Sequence, residues 1–158
     1  SDLANFSPVD AHEAELLEVL WTRFSRVSIE RVLSGMGLAN LYWANCRLGG
    51  LHRELPAADI TAGARAGDEY CSRAVRDFQG ILGSVAGDIA LTVGALDGVY
   101  LSGGILPKMM DLLDGQLIWT RFQEKGRQQP MLARTPLAIV LAEHPGLLGC
   151  VEALKRLG

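Results

Sequence analysis

The sequence predicts a mostly helical α/β domain with a short, truncated parallel sheet in its second half. Through residues 1–95 apolar side chains recur at helical spacing. Residues 99–102 and 136–142 instead form two short runs without polar alternation, which is typical of parallel strands covered on both faces. A helical segment over residues 107–122 separates the two runs, so the strands belong to one right-handed βαβ unit.

Helices account for the whole first half. Ser7 caps the first helix, Pro8 occupies its first position, and the helical spacing continues to about residue 26. A short helical turn over residues 29–33 ends at the glycine-containing break of residues 34–37. Three further helices are predicted at residues 38–49, at residues 59–66 with Asp59 as cap, and at residues 68–93.

A stripe of small residues follows the longest predicted helix: Gly80, Gly83, Gly87, Ala90 and Gly94. Each glycine inside a helix costs about 1 kcal/mol relative to alanine, so several in one helix need a physical reason. We expect another backbone to approach closely there, rather than a catalytic use.

The second half, residues 96–158, is predicted as a βαβα unit that ends in a helix over residues 145–157. Two parallel strands rarely form a stable sheet alone, and residues 1–95 contain no predicted strand. We therefore expect either a piece of a larger protein or a domain that completes its sheet in a dimer.

Composition excludes several classes of function. A chain of 158 residues suits a single domain, and a net charge of −3 gives no electrostatic reason to bind nucleic acid. No apolar run is long enough for a membrane span, and the first residues lack the layout of a signal peptide. The cysteines and histidines show no metal-ligand spacing: Cys46, Cys71, Cys150, His12, His52 and His144. We expect a cytoplasmic protein with reduced thiols and without a metal site.

A diglycine turn is the most informative local motif, in the segment Gly98-Val-Tyr-Leu-Ser-Gly-Gly-Ile-Leu-Pro107. Gly103 and Gly104 permit positive φ angles and let a flat ligand lie close to the backbone. Ligands of open α/β sheets collect at the carboxyl ends of strands, so a nucleotide is expected here. The alternative is a tight turn needed only for packing.

Five dispersed segments resemble one family. They are Asn5-Phe6-Ser7-Pro8; Val27-Ser-Ile-Glu-Arg-Val-Leu-Ser-Gly35 with Gly37-Leu38 and Asn40-Leu41-Tyr42; the diglycine segment; Phe122-Gln-Glu-Lys-Gly-Arg127; and Pro145-Gly-Leu-Leu-Gly149. In order and spacing they resemble the bacterial-type ATP-dependent glucokinases, members of the actin/hexokinase-like ATPase superfamily with a ribonuclease H-like fold. The resemblance covers essentially the whole chain.

This resemblance implies that the chain is the C-terminal part of a two-domain, homodimeric, cytoplasmic enzyme of glycolysis. Such an enzyme uses ATP and Mg²⁺ to phosphorylate the 6-hydroxyl of glucose, or of a related hexose. The family's aspartate base and phosphate-binding loops lie upstream of the segments present here. The resemblance therefore implies no catalytic residue in this chain, and the chain alone is expected to be inactive.

The resemblance also assigns binding residues. Glu30 matches the family glutamate that accepts hydrogen bonds from sugar hydroxyls; the alternative is a first-turn glutamate favoured by the helix dipole. Gly103, Gly104 and Ile105 match the turn that flanks the adenosine of ATP. Pro145-Gly146 forms either a wall of that pocket or a plain turn. The basic residues Arg121, Lys125 and Arg127 attract phosphate or are solvated charges at a helix end.

One position departs from the family pattern. The family has a sugar-contacting histidine where this chain has Leu3, and an apolar side chain cannot hydrogen-bond a hydroxyl group. Two alternatives therefore stand beside the kinase. The first is a catalytically inactive sugar- or nucleotide-binding relative. The second is a dimerisation module, suggested by the small-residue helix and the incomplete sheet.

Overall fold

The computed structural model describes residues 4–93, 99–101, 104–140 and 154–157. The chain divides into two compact units, Ser1–Phe78 and Gln79–Gly158, and the division falls inside the longest helix. The helices are α1 Ala11–Trp21, α2 Gly35–Leu48, α3 Ala57–Arg65, α4 Glu69–Val93, α5 Gly115–Gln123 and α6 Gln129–Leu132. Three 3₁₀ segments are Ile29–Arg31, Leu106–Leu112 and Gly126–Gln128. The strands are β1 Val99–Leu101, β2 Leu137–Val140 and β3 Leu154–Leu157.

Helix α1 is shorter at both ends than its apolar spacing predicts. Its N-cap is Asp10, whose carboxylate accepts a hydrogen bond from the backbone N–H of Glu13 at 2.8 Å, so the predicted cap at Ser7 is wrong. The helix ends at Trp21 because the Thr22 hydroxyl donates to the carbonyl of Val19 at 2.6 Å and the chain then turns. Competition of such side chains for backbone groups is a common cause of helix ends.

Helix α2 lies at the centre of the first unit and packs against α1, α3 and the 3₁₀ turn Ile29–Arg31. Its N-cap is Ser34, which accepts a hydrogen bond from the N–H of Gly37 at 2.9 Å. Helix α3 begins earlier than predicted, after Pro56, and Asp59 sits in its first turn rather than at the cap. Large, fully buried side chains form the core of this unit: Leu16, Leu20, Leu38, Leu41, Ile60 and Phe78.

In the second unit, the glycine stripe of α4 lies against α5. A Cβ atom at Gly83 would collide with the carbonyl oxygen of Ile118, and one at Gly87 with that of Phe122. The predicted close approach of another backbone is therefore confirmed at these two positions. Gly94 lies outside the described residues.

The sheet of the second unit has the strand order β1-β2-β3. The predicted parallel pairing of the first two strands is confirmed, with Val99 opposite Leu137 and Leu101 opposite Ile139. Strand β3 is antiparallel to β2, so the predicted helix over residues 145–157 is wrong at residues 154–157. Pairing with the free edge of β2 outweighs the helix propensity of Leu, Lys and Arg in this segment. The remainder of that predicted helix lies outside the described residues.

The connection from β1 to β2 is less regular than the predicted helix over residues 107–122. It begins as a 3₁₀ segment that is kinked at Met109, with φ −129° and ψ 19°. Asp114 then caps α5 by accepting hydrogen bonds from the backbone N–H groups of Gln116 and Leu117 at 3.0 and 3.2 Å. Within the described part of the chain, no helix is both long and apolar enough to cross a membrane.

Candidate functional site

Glu30 lies in the short 3₁₀ turn Ile29–Arg31, between Val27 and the start of α2, and is exposed to solvent. The hydroxyl of Ser34 donates to the Glu30 backbone carbonyl at 2.8 Å and at the same time caps α2. One serine therefore joins the turn to the first residues of a buried helix. The turn presents a carboxylate at the surface while its backbone is anchored below.

An antiparallel bridge brings together the first two motif segments. Asn5 pairs with Ser28, the N–H of Phe6 donates to the carbonyl of Val27 at 2.9 Å, and the N–H of Ile29 donates to that of Ala4 at 3.1 Å. Phe6 is buried beneath this bridge. Segments that are more than 20 residues apart in the sequence thus form one small structure beside Glu30.

A cavity of about 110 Å³ lies next to this bridge. Its lining comprises Asn5, Phe6, Leu17, Trp21, Ser25, Arg26 and Val27. Inside this group the guanidinium of Arg26 donates to the side-chain oxygen of Asn5 at 2.6 Å. Glu30 does not line the cavity, so the cavity is separate from the predicted sugar ligand.

Asn40 on α2 completes the anchoring of the Glu30 turn. The residue is only 5% exposed, and its Nδ2 donates to the backbone carbonyl of Arg31 at 2.9 Å. Gly37 lies one helical turn earlier against the backbone of Val32, where a Cβ atom would collide. Sequence reasoning quoted Asn40 within a motif but gave it no role. An asparagine among the buried positions of a predicted helix is the signal that could have identified it, because a buried amide needs a hydrogen-bond partner.

The guanidinium of Arg31 lies over the ring of Phe24, with its central carbon 4.0 Å from the ring centroid. This cation–π contact holds the side chain next to Glu30 against the body of the first unit.

The diglycine turn follows the carboxyl end of β1 in the second unit. Gly103 lies outside the described residues, whereas Gly104 is exposed and no described atom lies within 4 Å of the position that its Cβ would take. Ile105 is half-buried, and its carbonyl accepts a hydrogen bond from the N–H of Lys108 at 3.0 Å.

Two of the three basic residues at the end of α5 are bound to α4. Arg121 Nε donates to the hydroxyl of Ser84 at 3.0 Å. Lys125 Nζ donates to the Ser84 carbonyl and pairs with the carboxylate of Asp88, both at 2.9 Å. The expectation of solvated charge is therefore corrected for Arg121 and Lys125, which fasten α5 to α4 beside the glycine stripe. Attraction of phosphate by this cluster stays a prediction.

No group of three or more His, Cys, Asp or Glu residues within the described ranges could hold a metal ion. Cys46 and Cys71 are buried free thiols in the first unit. Burial, followed by a hydrogen bond to Asp68, raises the pKa of the Cys71 thiol to about 12. Burial also raises the pKa of Cys46, so neither thiol forms the reactive thiolate readily.

Comparison with known proteins places these features in a family context. The family model described as Glucokinase matches residues 2–157. The chain is 44% identical over 153 residues to a glucokinase of Chromohalobacter salexigens, covering 96% of this chain and 48% of that protein. It is 49% identical over 146 residues to a glucokinase of Aromatoleum aromaticum, covering 91% and 44% respectively.

The fold of the chain is also similar to that of a solved glucokinase structure. The crystal structure of a glucokinase from an Antarctic psychrotroph superposes with a TM-score of 0.81 at 36% identity, covering 86% of this chain and 43% of that one. The chain thus spans about half the length of the curated relatives and of the solved structure that it matches.

Proposed function

The chain belongs to the glucokinase family, and from this membership we propose that it forms the C-terminal part of an ATP-dependent glucose kinase. In the intact protein, the γ-phosphoryl group of ATP is transferred to the 6-hydroxyl of glucose, giving glucose 6-phosphate. The structural observation that supports the proposal is the Glu30 turn. This turn carries a carboxylate at the surface, and Ser34 and Asn40 anchor its backbone to α2.

Glu30 is the proposed sugar ligand. A carboxylate offers two acceptor oxygens, which suits neighbouring hydroxyl groups of a hexose, and charge-assisted hydrogen bonds are stronger than neutral ones. Its exposure leaves the carboxylate accessible to a ligand, and the anchored backbone limits the entropy lost when the sugar binds.

Gly103, Gly104 and Ile105 are the proposed adenosine contacts. No described atom lies within 4 Å of the Cβ position of Gly104, which supports the approach of a flat base to the backbone, and half-buried Ile105 offers an apolar surface beside it. This placement at the carboxyl end of β1 fits the rule for ligands of α/β sheets. The finer fold that we propose is one domain with the truncated sheet of an actin/hexokinase-like protein.

ATP and Mg²⁺ are the proposed cofactors of the intact protein. When bound, Mg²⁺ neutralises phosphate charge during phosphoryl transfer. The described residues offer no carboxylate cluster for the ion, so we assign its binding to the phosphates and to residues beyond this chain. The general base is likewise assigned upstream. In this proposal the residues of this chain contact the sugar and the adenosine, and the chain is inactive without the rest of the intact protein. We propose that the intact protein is cytoplasmic and that it forms a homodimer. Light scattering tests the dimer by measuring the mass of the protein in solution.

The test compares Glu30→Gln with Glu54→Gln in the intact protein. Glu54 is an exposed glutamate of the same unit that pairs with Arg23 instead. Losing a hydrogen bond to a charged group costs roughly 1.5–3 kcal/mol, so Glu30→Gln lowers kcat/KM for glucose by about 10-fold to 150-fold. The KM for ATP stays unchanged, and Glu54→Gln behaves as wild type. An unaltered kcat/KM for glucose in Glu30→Gln contradicts the assignment.

A second candidate function is a catalytically inactive relative that binds the sugar or the nucleotide. The substitution at Leu3 favours it, because the family histidine there contacts sugar. Glucose binding measured by calorimetry without formation of glucose 6-phosphate supports this candidate, and steady turnover rejects it. The small-residue stripe no longer favours a dimerisation module, since α5 of the same chain covers Gly83 and Gly87.

A further inference from the structure

We infer that Asn40 is a positioning residue that holds the Glu30 carboxylate in the geometry for sugar binding. The inference rests on the proposed function of Glu30 and deepens it. It assigns to a buried amide, which touches no substrate, the task of fixing the turn that presents the ligand.

The Asn40 side chain reaches out of its own helix. A buried amide must be hydrogen-bonded, and on a helix it can satisfy this need with a carbonyl of its own helix. Asn40 instead donates to the carbonyl of Arg31 at 2.9 Å, nine residues earlier and outside α2. The bond therefore connects a rigid helix to the carbonyl of Arg31, the residue that directly follows Glu30.

This bond acts together with Ser34. The Ser34 hydroxyl donates to the carbonyl of Glu30 itself at 2.8 Å, so two successive carbonyls of the turn are held from α2 or its cap. A three-residue 3₁₀ turn has few internal hydrogen bonds of its own and depends on such external ties. Binding groups must be held close to their productive geometry to be effective, which makes this anchoring functional.

Asn45 provides a matched control on the same helix. It is 1% exposed, and its Nδ2 also donates to a backbone carbonyl at 2.9 Å, but that carbonyl belongs to Leu41 within α2. Its other partner is the carboxylate of Asp77 on α4, at 2.8 Å. The two asparagines thus match in chemistry, burial and bond length, and differ in whether they reach the Glu30 turn.

The experiment measures Asn40→Ala and Asn45→Ala in the intact protein. A net hydrogen bond is worth about 0.5–1.5 kcal/mol, so Asn40→Ala raises the KM for glucose by about 2-fold to 12-fold, while the KM for ATP stays as in wild type. Asn45→Ala lowers Tm but leaves the KM for glucose unchanged. If Asn40→Ala lowers Tm with an unchanged KM for glucose, or if both variants raise this KM equally, the inference is overturned.

A double variant separates the two proposals. In the Glu30→Gln background, Asn40→Ala adds no further change to the KM for glucose, because the carboxylate that it positions is gone. An equal effect in both backgrounds overturns the inference. If Glu30→Gln alone changes nothing, the proposed sugar ligand fails instead. Should Asn40→Ala not fold, Asn40→Ser is measured by the same criteria, since its hydroxyl is too short to reach the Arg31 carbonyl.

Discussion

The substitution Gly83→Ala tests the packing of α4 against α5. Helix propensity alone predicts that alanine stabilises the protein, whereas the contact with α5 predicts that it destabilises the protein. In an isolated helix, alanine stabilises by about 1 kcal/mol relative to glycine. In this protein the added Cβ collides with the carbonyl oxygen of Ile118 and lies 3.0 Å from Cβ of Arg121. The obstacle is the backbone of α5, which cannot move aside as a side-chain end can.

The structure therefore predicts destabilisation. Overpacking costs about 1–3 kcal/mol, and subtracting the gain in helix propensity of about 1 kcal/mol leaves a net loss of up to about 2 kcal/mol. At no more than about 4 °C per kcal/mol, the Tm of the intact protein falls by up to about 8 °C. Differential scanning calorimetry measures this directly, together with the reversibility that a free energy requires.

Two other glycines serve as controls for Gly83→Ala. At Gly35 no atom of the described residues lies within 4 Å of the new Cβ, so alanine there raises Tm slightly. At Gly80 the nearest obstacle is the terminal Nη1 of Arg121, which can move, so the change in Tm is small. If Gly83→Ala raises Tm as Gly35→Ala does, the close approach of the two helices is refuted.

Two further predictions concern the first unit. Burial raises the pKa of the Cys71 thiol from 9.0 to about 12 in the folded protein. Because the thiol of the unfolded chain ionises first, the contribution of the buried thiol to the free energy of unfolding is complete below pH 9 and is lost as the pH rises towards 12. Between pH 9 and about pH 10, the free energy of unfolding measured in urea should fall more steeply with pH in wild type than in Cys71→Ala. The difference in slope is at most about 1.4 kcal/mol per pH unit, and equal slopes in the two proteins contradict the prediction. The carboxylate of Asp77 accepts hydrogen bonds from Asn45 at 2.8 Å and from His12 at 2.9 Å, and the side chains of Asp77 and His12 are 11% and 46% exposed. Asp77→Ala therefore lowers the free energy of unfolding, measured with denaturant, by about 1–3 kcal/mol, and His12→Ala lowers it by at most about 1 kcal/mol. A larger loss in His12→Ala than in Asp77→Ala contradicts this assignment of the hydrogen bonds.

Periodicity predicted the interior of the helices better than their ends. The apolar spacing predicted the helix α1, whose buried face holds Leu16, Leu17 and Leu20, because burial imposes the 3.6-residue repeat. The cap was misplaced from Asp10 to Ser7, since both residues can cap a helix and only the path of the chain decides between them. The glycine stripe was interpreted correctly because its cost in the helix demands a close neighbour.

The failures share a physical cause, which is contact between segments distant in sequence. Strand β3 forms because β2 offers an edge, and nothing within residues 154–157 reports that edge. Arg121 and Lys125 look like surface charges in the sequence, yet α4 supplies their partners about 40 residues earlier. Asn40 was overlooked for the same reason, since its role depends on where the Glu30 turn lies.

The most direct test of the central claim is the structure of the intact protein with bound glucose. The account predicts that a carboxylate oxygen of Glu30 lies within about 3.2 Å of a sugar hydroxyl, with the Asn40–Arg31 hydrogen bond kept as it is in the chain alone. A glucose molecule bound elsewhere, with the Glu30 carboxylate pointing into solvent, would contradict the claim.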